Sequence, residues 1–203
     1  MTNQSYHHGD LKAELIRTGL KLLDQEGYEG FSLRKVAKAC NVSQTAPYRH
    51  FKDKDELIAA ITLEALRAFN ESLKQAVEQY PDDPKQQLAE MGVAYIRFFS
   101  ENPEYLRLLF LSNMESKMNA MFNCTPGAIT NEYPFQTFSM AIERFIEAYP
   151  HQLMSKEELL VYCWGLVHGI SVLIANKDIP HQEDYQSLVR NIITVSLNVR
   201  ESR

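Results

Sequence analysis

Between Ser32 and Leu57 the chain reads SLRKVAKACNVSQTAPYRHFKDKDEL, and this segment holds the side chains whose types and spacing point most clearly to a chemistry. Gln44 and Arg49 can each make paired hydrogen bonds to base edges in a major groove, and Thr45 can hydrogen-bond or touch a thymine methyl. Tyr48, His50 and Lys54 suit phosphate oxygens. Lys54 stands at the expected start of a helix, where backbone amides also favour an anion. Arg34, Ser43 and Pro47 complete the candidate DNA-facing set. Phosphate contacts of this kind set position, and the base contacts set sequence.

Other chemistries find little support. A catalytic site needs a nucleophile with its base, a metal cluster or paired carboxylates, and no such group stands at convincing spacing, nor is there a Gly-rich phosphate loop. The expectation is therefore no enzyme, no catalytic residue, no cofactor and no metal. His7 and His8 lack Cys or carboxylate partners at ligand spacing; an arm lying by a DNA backbone is the better reading. Cys40, Cys124 and Cys163 are far apart and odd in number, so they read as reduced thiols, not as a disulfide framework.

A second group is apolar. Met91, Tyr95, Phe98, Phe99, Leu109, Met114, Met118, Phe122, Phe138, Ile142 and Phe145 could line a pocket, although a helical core would need most of them anyway. The expected ligand-facing set is Tyr95, Phe98, Phe99, Met114, Met118, Phe138 and Ile142, with Trp164 and His168. His168, one helical turn after Trp164, reads first as a satisfied core or interface histidine and second as a hydrogen-bonding group for a ligand. Gly165 and Gly169 would weaken a helix unless something packs closely on them, and a dimer seam is the favoured reason.

The elements that must position these groups are all helical. Almost every segment shows the helical period and none shows sustained strand alternation, so the fold class is all-α. Helices are expected over 10–26, 33–40, 43–51, 53–80, 84–101, 103–113, 131–149, 155–176 and 182–200, with 117–130 either a lid or a short extra helix. Gly27 reads as a stop, Pro84 as a first helical residue, and Asp53 with Glu56 as a capping box. Leu33, Val36 and Ala37 form the inner face of the first short helix, and Val42 plugs the turn. Asn41 falls where left-handed backbone is expected, and Ser43 is placed to cap the next helix. Two short helices joined by so tight a turn form a helix-turn-helix. The expected domains are a three-helix helix-turn-helix domain over 1–53 and a helical ligand-binding and dimerisation domain over 54–203.

Charge agrees with that division. The chain is 203 residues long with a net charge of -5, yet residues 1–67 carry ten Lys and Arg against nine Asp and Glu, and the remainder eleven against seventeen. DNA contact is thus expected from the first third, the acidic remainder being kept off phosphates by repulsion. No apolar run is seen to approach the roughly 20 residues that span a bilayer, so the expected location is the cytoplasm, with no membrane partner.

The phrases YHHGDL at 6–11, SLRKVA, NVS and APYRHFKDKDEL, followed by a long helix, resemble in order and spacing the DNA-binding domain of the TetR family of bacterial repressors. Asn41 departs from the glycine usual there. CWGLVHGISVL at 163–173 is similar to the Trp-x-x-x-His-Gly signature of one type of TetR C-terminal domain. The resemblance implies a homodimer formed through the last two long helices. On double-stranded DNA its recognition helices would lie about one turn, ~34–36 Å, apart on a pseudo-palindrome. It further implies release by a small apolar effector. A constitutive, non-specific DNA binder and a helical adaptor are the competing readings.

Overall fold

The structure, a computed structural model, describes residues 11–111, 134–151, 154–179 and 185–196. The expectations at His7, His8, Met114, Met118, Phe122, Cys124 and the 117–130 stretch lie outside these residues. Among the described residues all regular structure is helical. The chain divides into two compact units, Met1–Ala65 with Arg107–Pro126, and Leu66–Leu106 with Gly127–Arg203.

In the first unit, α1 (Leu11–Gly30) buries Leu11, Leu15, Gly19, Leu20 and Leu23 at helical spacing. Gly27 breaks it with φ 67 and ψ 177, a left-handed conformation that glycine adopts without a Cβ penalty, so the sequence-based stop is where the backbone turns. Ser32 caps α2 (Leu33–Ala39), its hydroxyl accepting from the Lys35 amide at 3.3 Å, and Leu33, Val36 and Ala37 face inward as expected. The helix α3 (Lys54–Glu78) begins in this unit. Leu57, Ile58 and Ile61 are buried, and a Cβ on Gly19 would stand 2.9 Å from Ile61 and 3.5 Å from Leu57. The first turns of α3 thus complete the core that α1 and α2 cannot close alone. This explains why the unit runs on to Ala65 instead of ending at residue 53.

The second unit is organised on α4 (Pro84–Glu101), which packs against three later helices, α6 (Pro134–Ala148), α7 (Lys156–Ala175) and α8 (Tyr185–Ser196). Asp83 caps α4 by accepting from the Gln86 amide at 3.0 Å, with Pro84 as first helical residue. From Gln87 to Phe99 only Glu90, Arg97 and Phe98 are not buried, which is the pattern of a central helix. Ser155 opens α7 with a full capping box to Glu158. The expected helix over 103–113 is instead a short α5 (Pro103–Leu106) followed by a π-helical turn, Arg107–Leu111. Arg107 binds Asp24 of α1 through two hydrogen bonds, 2.5 and 2.7 Å.

The expectation that no apolar run approaches the length of a bilayer span needs correcting. By length and composition alone α7 is long and apolar enough to cross a bilayer, because its two glutamates sit in the first turn and the rest is nearly uncharged.

Candidate nucleic-acid interface

The turn after α2 is built by backbone hydrogen bonds. Cys40 N donates to Val36 O (2.9 Å) and Val42 N to Ala37 O (3.0 Å), with Asn41 between them at φ 56, the left-handed geometry expected of it. The expected helix over 43–51 does not form; the backbone there makes only a 3₁₀ turn, Pro47–Arg49. Proline has no N–H to give the Ser43 carbonyl and its ring crowds a carbonyl four residues back. That carbonyl instead accepts from Ala46 N at 2.9 Å. Ser43 is likewise not a helix cap, since its hydroxyl pairs with that of Thr45 at 3.2 Å.

The recognition residues nonetheless stand out. Arg34, Ser43, Gln44, Thr45, Tyr48 and Arg49 are exposed and His50 is half-buried. Pro47 is a correction: it is buried, with Phe51, and supports the turn from beneath instead of facing a ligand. Lys54 is held more firmly than a surface lysine. Its ammonium donates to the Tyr28 carbonyl at 3.1 Å and lies 3.9 Å from the centre of the Tyr28 ring. The Tyr28 hydroxyl donates to Asp55 at 2.6 Å, and that carboxylate pushes the phenol up to about 12. Asp53 accepts from Glu56 N at 2.9 Å; the Glu56 carboxylate reaches back to Lys52 N, one residue beyond the Asp53 amide that a capping box would use. Sequence reasoning missed Tyr28, which lies outside the helix-turn-helix phrase.

In the second unit Tyr95, Phe98 and Phe99 come together around Phe69, with ring centroids 5.0, 5.3 and 4.7 Å from it. The Tyr95 hydroxyl lies 3.0 Å from His168 Nδ1. Burial raises the Tyr95 phenol far above its ordinary value, opposed by a hydrogen bond from Trp164. An indole can only donate, so the Tyr95 oxygen accepts from Trp164. Trp164 and His168, four apart on α7, thus meet on one hydroxyl of α4. Burial holds the His168 imidazole below its ordinary value, and lifts the Cys163 thiol to about 11, which keeps it unreactive. Ile142 is fully buried, Phe138 half-buried, and Trp164 stands 6.3 Å from Phe135 at the surface. Thr137 donates to the buried Asn70 at 2.7 Å. Phe69 and Asn70 were not foreseen, because beyond its first turn the helix expected over 53–80 carries no residue that its sequence pattern singles out.

Residues 15–61 match the family profile of bacterial regulatory proteins of the tetR family. An HTH-type transcriptional regulator of Staphylococcus aureus is 36% identical over 63 residues, 31% of this chain and 34% of the relative, so the match spans about a third of that relative's length. The uncharacterised HTH-type transcriptional regulator YobS of Bacillus subtilis is 23% identical over 84% of this chain and 82% of its own. Residues 15–61 are thus similar to the DNA-binding part of TetR-family regulators. The fold of the chain is that of the TetR-family transcriptional regulator PfmR of Thermus thermophilus, with a TM-score of 0.67 at 20% identity over 93% of this chain and 96% of that one. The matched residues include every candidate DNA contact named above, Arg34 to Lys54, together with the Tyr28 clasp.

Proposed function

We propose that this protein is a cytoplasmic, sequence-specific transcriptional regulator of the TetR family that binds a pseudo-palindromic operator as a homodimer and is released by a small apolar effector. The observation that carries the reading is the exposed row Gln44, Thr45, Tyr48 and Arg49 on a turn anchored by buried Pro47 and Phe51. Such a row offers base-edge donors on a support that does not yield. Gln44, Thr45 and Arg49 read bases; Tyr48, His50 and Lys54 hold phosphates.

The dimer reading is supported by α7 and α8. Val161 is 74% exposed, Trp164 41% and Leu173 42%, all on an apolar helix, and Val195 on α8 is 69% exposed. A Cβ at Gly165 or Gly169 would meet nothing within 4 Å, so both glycines lie on an open face of this single chain. A second copy seated there satisfies the apolar surface and gives the glycines their close neighbour. The effector reading is supported by the aromatic cluster with one polar group, Tyr95 with His168, at its edge. Coupling requires that the effector bind two states of the protein unequally, and α3, which starts beside the recognition turn and continues into the second unit, is the element able to carry the difference.

Sedimentation of the protein with a selected operator duplex and with its isolated half-site tests the reading. Two protomers on the full site and much weaker binding to the half-site support it. A single protomer bound equally well to both would overturn the dimer, and equal affinity for any duplex would favour a non-specific binder.

A further inference from the structure

We propose that Tyr28 is a positioning residue for DNA-backbone binding, fixing the Lys54 ammonium as a preset phosphate ligand at the start of α3. The proposal rests on the DNA-binding reading and adds to it a residue outside the recognition turn. Lys54 is flanked in sequence by Asp53, Asp55 and Glu56, any of which could neutralise it. Each is engaged elsewhere: Asp53 with the Glu56 amide, Glu56 with the Lys52 amide, and Asp55 with the Tyr28 hydroxyl. Among the described residues Lys54 forms no ion pair; its partners are one neutral carbonyl and one ring face, both from Tyr28.

This arrangement has a specific consequence. A lysine on a flexible stem loses much rotamer freedom when it grips a phosphate, so one already fixed binds with less loss. A carbonyl takes one of its three N–H groups, and the ring attracts the cation without consuming a charge. The cation therefore remains available to an anion. Tyr28 is itself fixed: Gly27 turns the backbone immediately before it, and the hydroxyl is tied to Asp55 at 2.6 Å. That last bond also keeps the Asp55 carboxylate occupied. Lys12, whose ammonium lies 5.9 Å from the Phe51 ring centre, is a second cation near the recognition turn and is not held by Tyr28.

The test measures binding of the full chain to a selected operator duplex and to a scrambled duplex of equal length across a salt series. Wild type, Tyr28→Leu, Tyr28→Phe, Lys54→Gln and the double variant Tyr28→Leu/Lys54→Gln are compared. Lys54→Gln is expected to lower the salt slope by about one. Tyr28→Leu, which keeps the backbone carbonyl but loses the ring, is expected to weaken binding to both duplexes by about three- to tenfold, with Tyr28→Phe, which keeps the ring as well, losing less. In the Lys54→Gln background Tyr28→Leu should have no further effect. A purely structural tyrosine predicts equal losses in both backgrounds together with a lowered melting temperature, and that result overturns the proposal, as does unchanged binding by Tyr28→Leu. Should Tyr28→Leu not fold, Tyr28→Met takes its place in the same cycle. A wild-type chain that binds neither duplex sinks the DNA-binding reading itself, a different outcome from additivity in a chain that binds.

Discussion

Replacing Gly92 with alanine sets two effects of known size against each other. Alanine is favoured over glycine inside a helix by about 1 kcal/mol. At this position, however, the new Cβ would stand 2.3 Å from Ile193 Cδ1, 3.3 Å from Val167 Cγ1 and 3.5 Å from Ile193 Cγ1. Carbon atoms pack at about 3.5–4.0 Å, so Cδ1 must retreat by more than about 1 Å. It is the free end of a side chain, but Ile193 is only 4% exposed and Val167 7%, so no open space receives it. Overpacking of this kind costs about 1–3 kcal/mol, and set against the helical gain it leaves a net loss of about 1 kcal/mol. Urea unfolding at fixed protein concentration reads this as a lower midpoint with an unchanged slope. Combining Gly92→Ala with Ile193→Val removes the clashing methyl and should recover part of the loss, although Ile193→Val alone costs about 0.5–1.5 kcal/mol. A neutral or stabilising Gly92→Ala, or strict additivity in the pair, would show that α8 is not seated on α4 as described.

Val161→Arg places a charge on the most exposed apolar position of α7 and is expected to turn a dimer into monomers by sedimentation, with the helical content kept; an unchanged dimer would move the interface elsewhere. Gln44→Ala should relax base preference at one position by ~1–3 kcal/mol while leaving affinity for random DNA nearly intact, and equal loss on both would remove Gln44 from the reading set. For His168, burial places the folded pKa below the ordinary value of 6.5, so between the two the unfolded chain binds more protons and stability rises with pH. Its contribution is full above 6.5 and is lost as pH falls through the folded value. His168→Gln should flatten that part of the stability profile, and parallel profiles for variant and wild type would contradict it.

The first unit is legible in the sequence because its signals are local. Asn41 and Gly27 act through their own backbone geometry, and Leu33, Val36 and Ala37 through spacing within one helix, so each can be read from neighbours in sequence. The recognition helix is over-read for a reason equally local: Pro47 looks compatible with a helix beginning at Ser43, yet its missing N–H and its ring permit only a 3₁₀ turn. Tyr28 escapes because its partner Lys54 lies 26 residues away, and no periodicity announces a carbonyl-and-ring clasp. In the second unit the order of helices is readable from prolines and capping residues, but which apolar residues meet is not. Phe69, Tyr95 and Phe99 converge from two helices, and either helix alone shows only an apolar stripe.

The division at Ala65 has the same origin. A helix start is visible in sequence, whereas the point at which a helix stops serving one core and begins serving another depends on what Gly19, Leu57 and Ile61 touch. The apolar length of α7 is likewise easy to underestimate, since Tyr162, Cys163, Trp164, Gly165 and His168 interrupt the aliphatic run without adding charge.

The most direct measurement is selection of bound sequences from a random double-stranded DNA pool by the purified full chain at physiological salt, followed by footprinting on the winner. The account predicts an enriched pseudo-palindrome whose half-site centres are about one helical turn, ~34–36 Å, apart. A pool that emerges no different from the one that entered would contradict it.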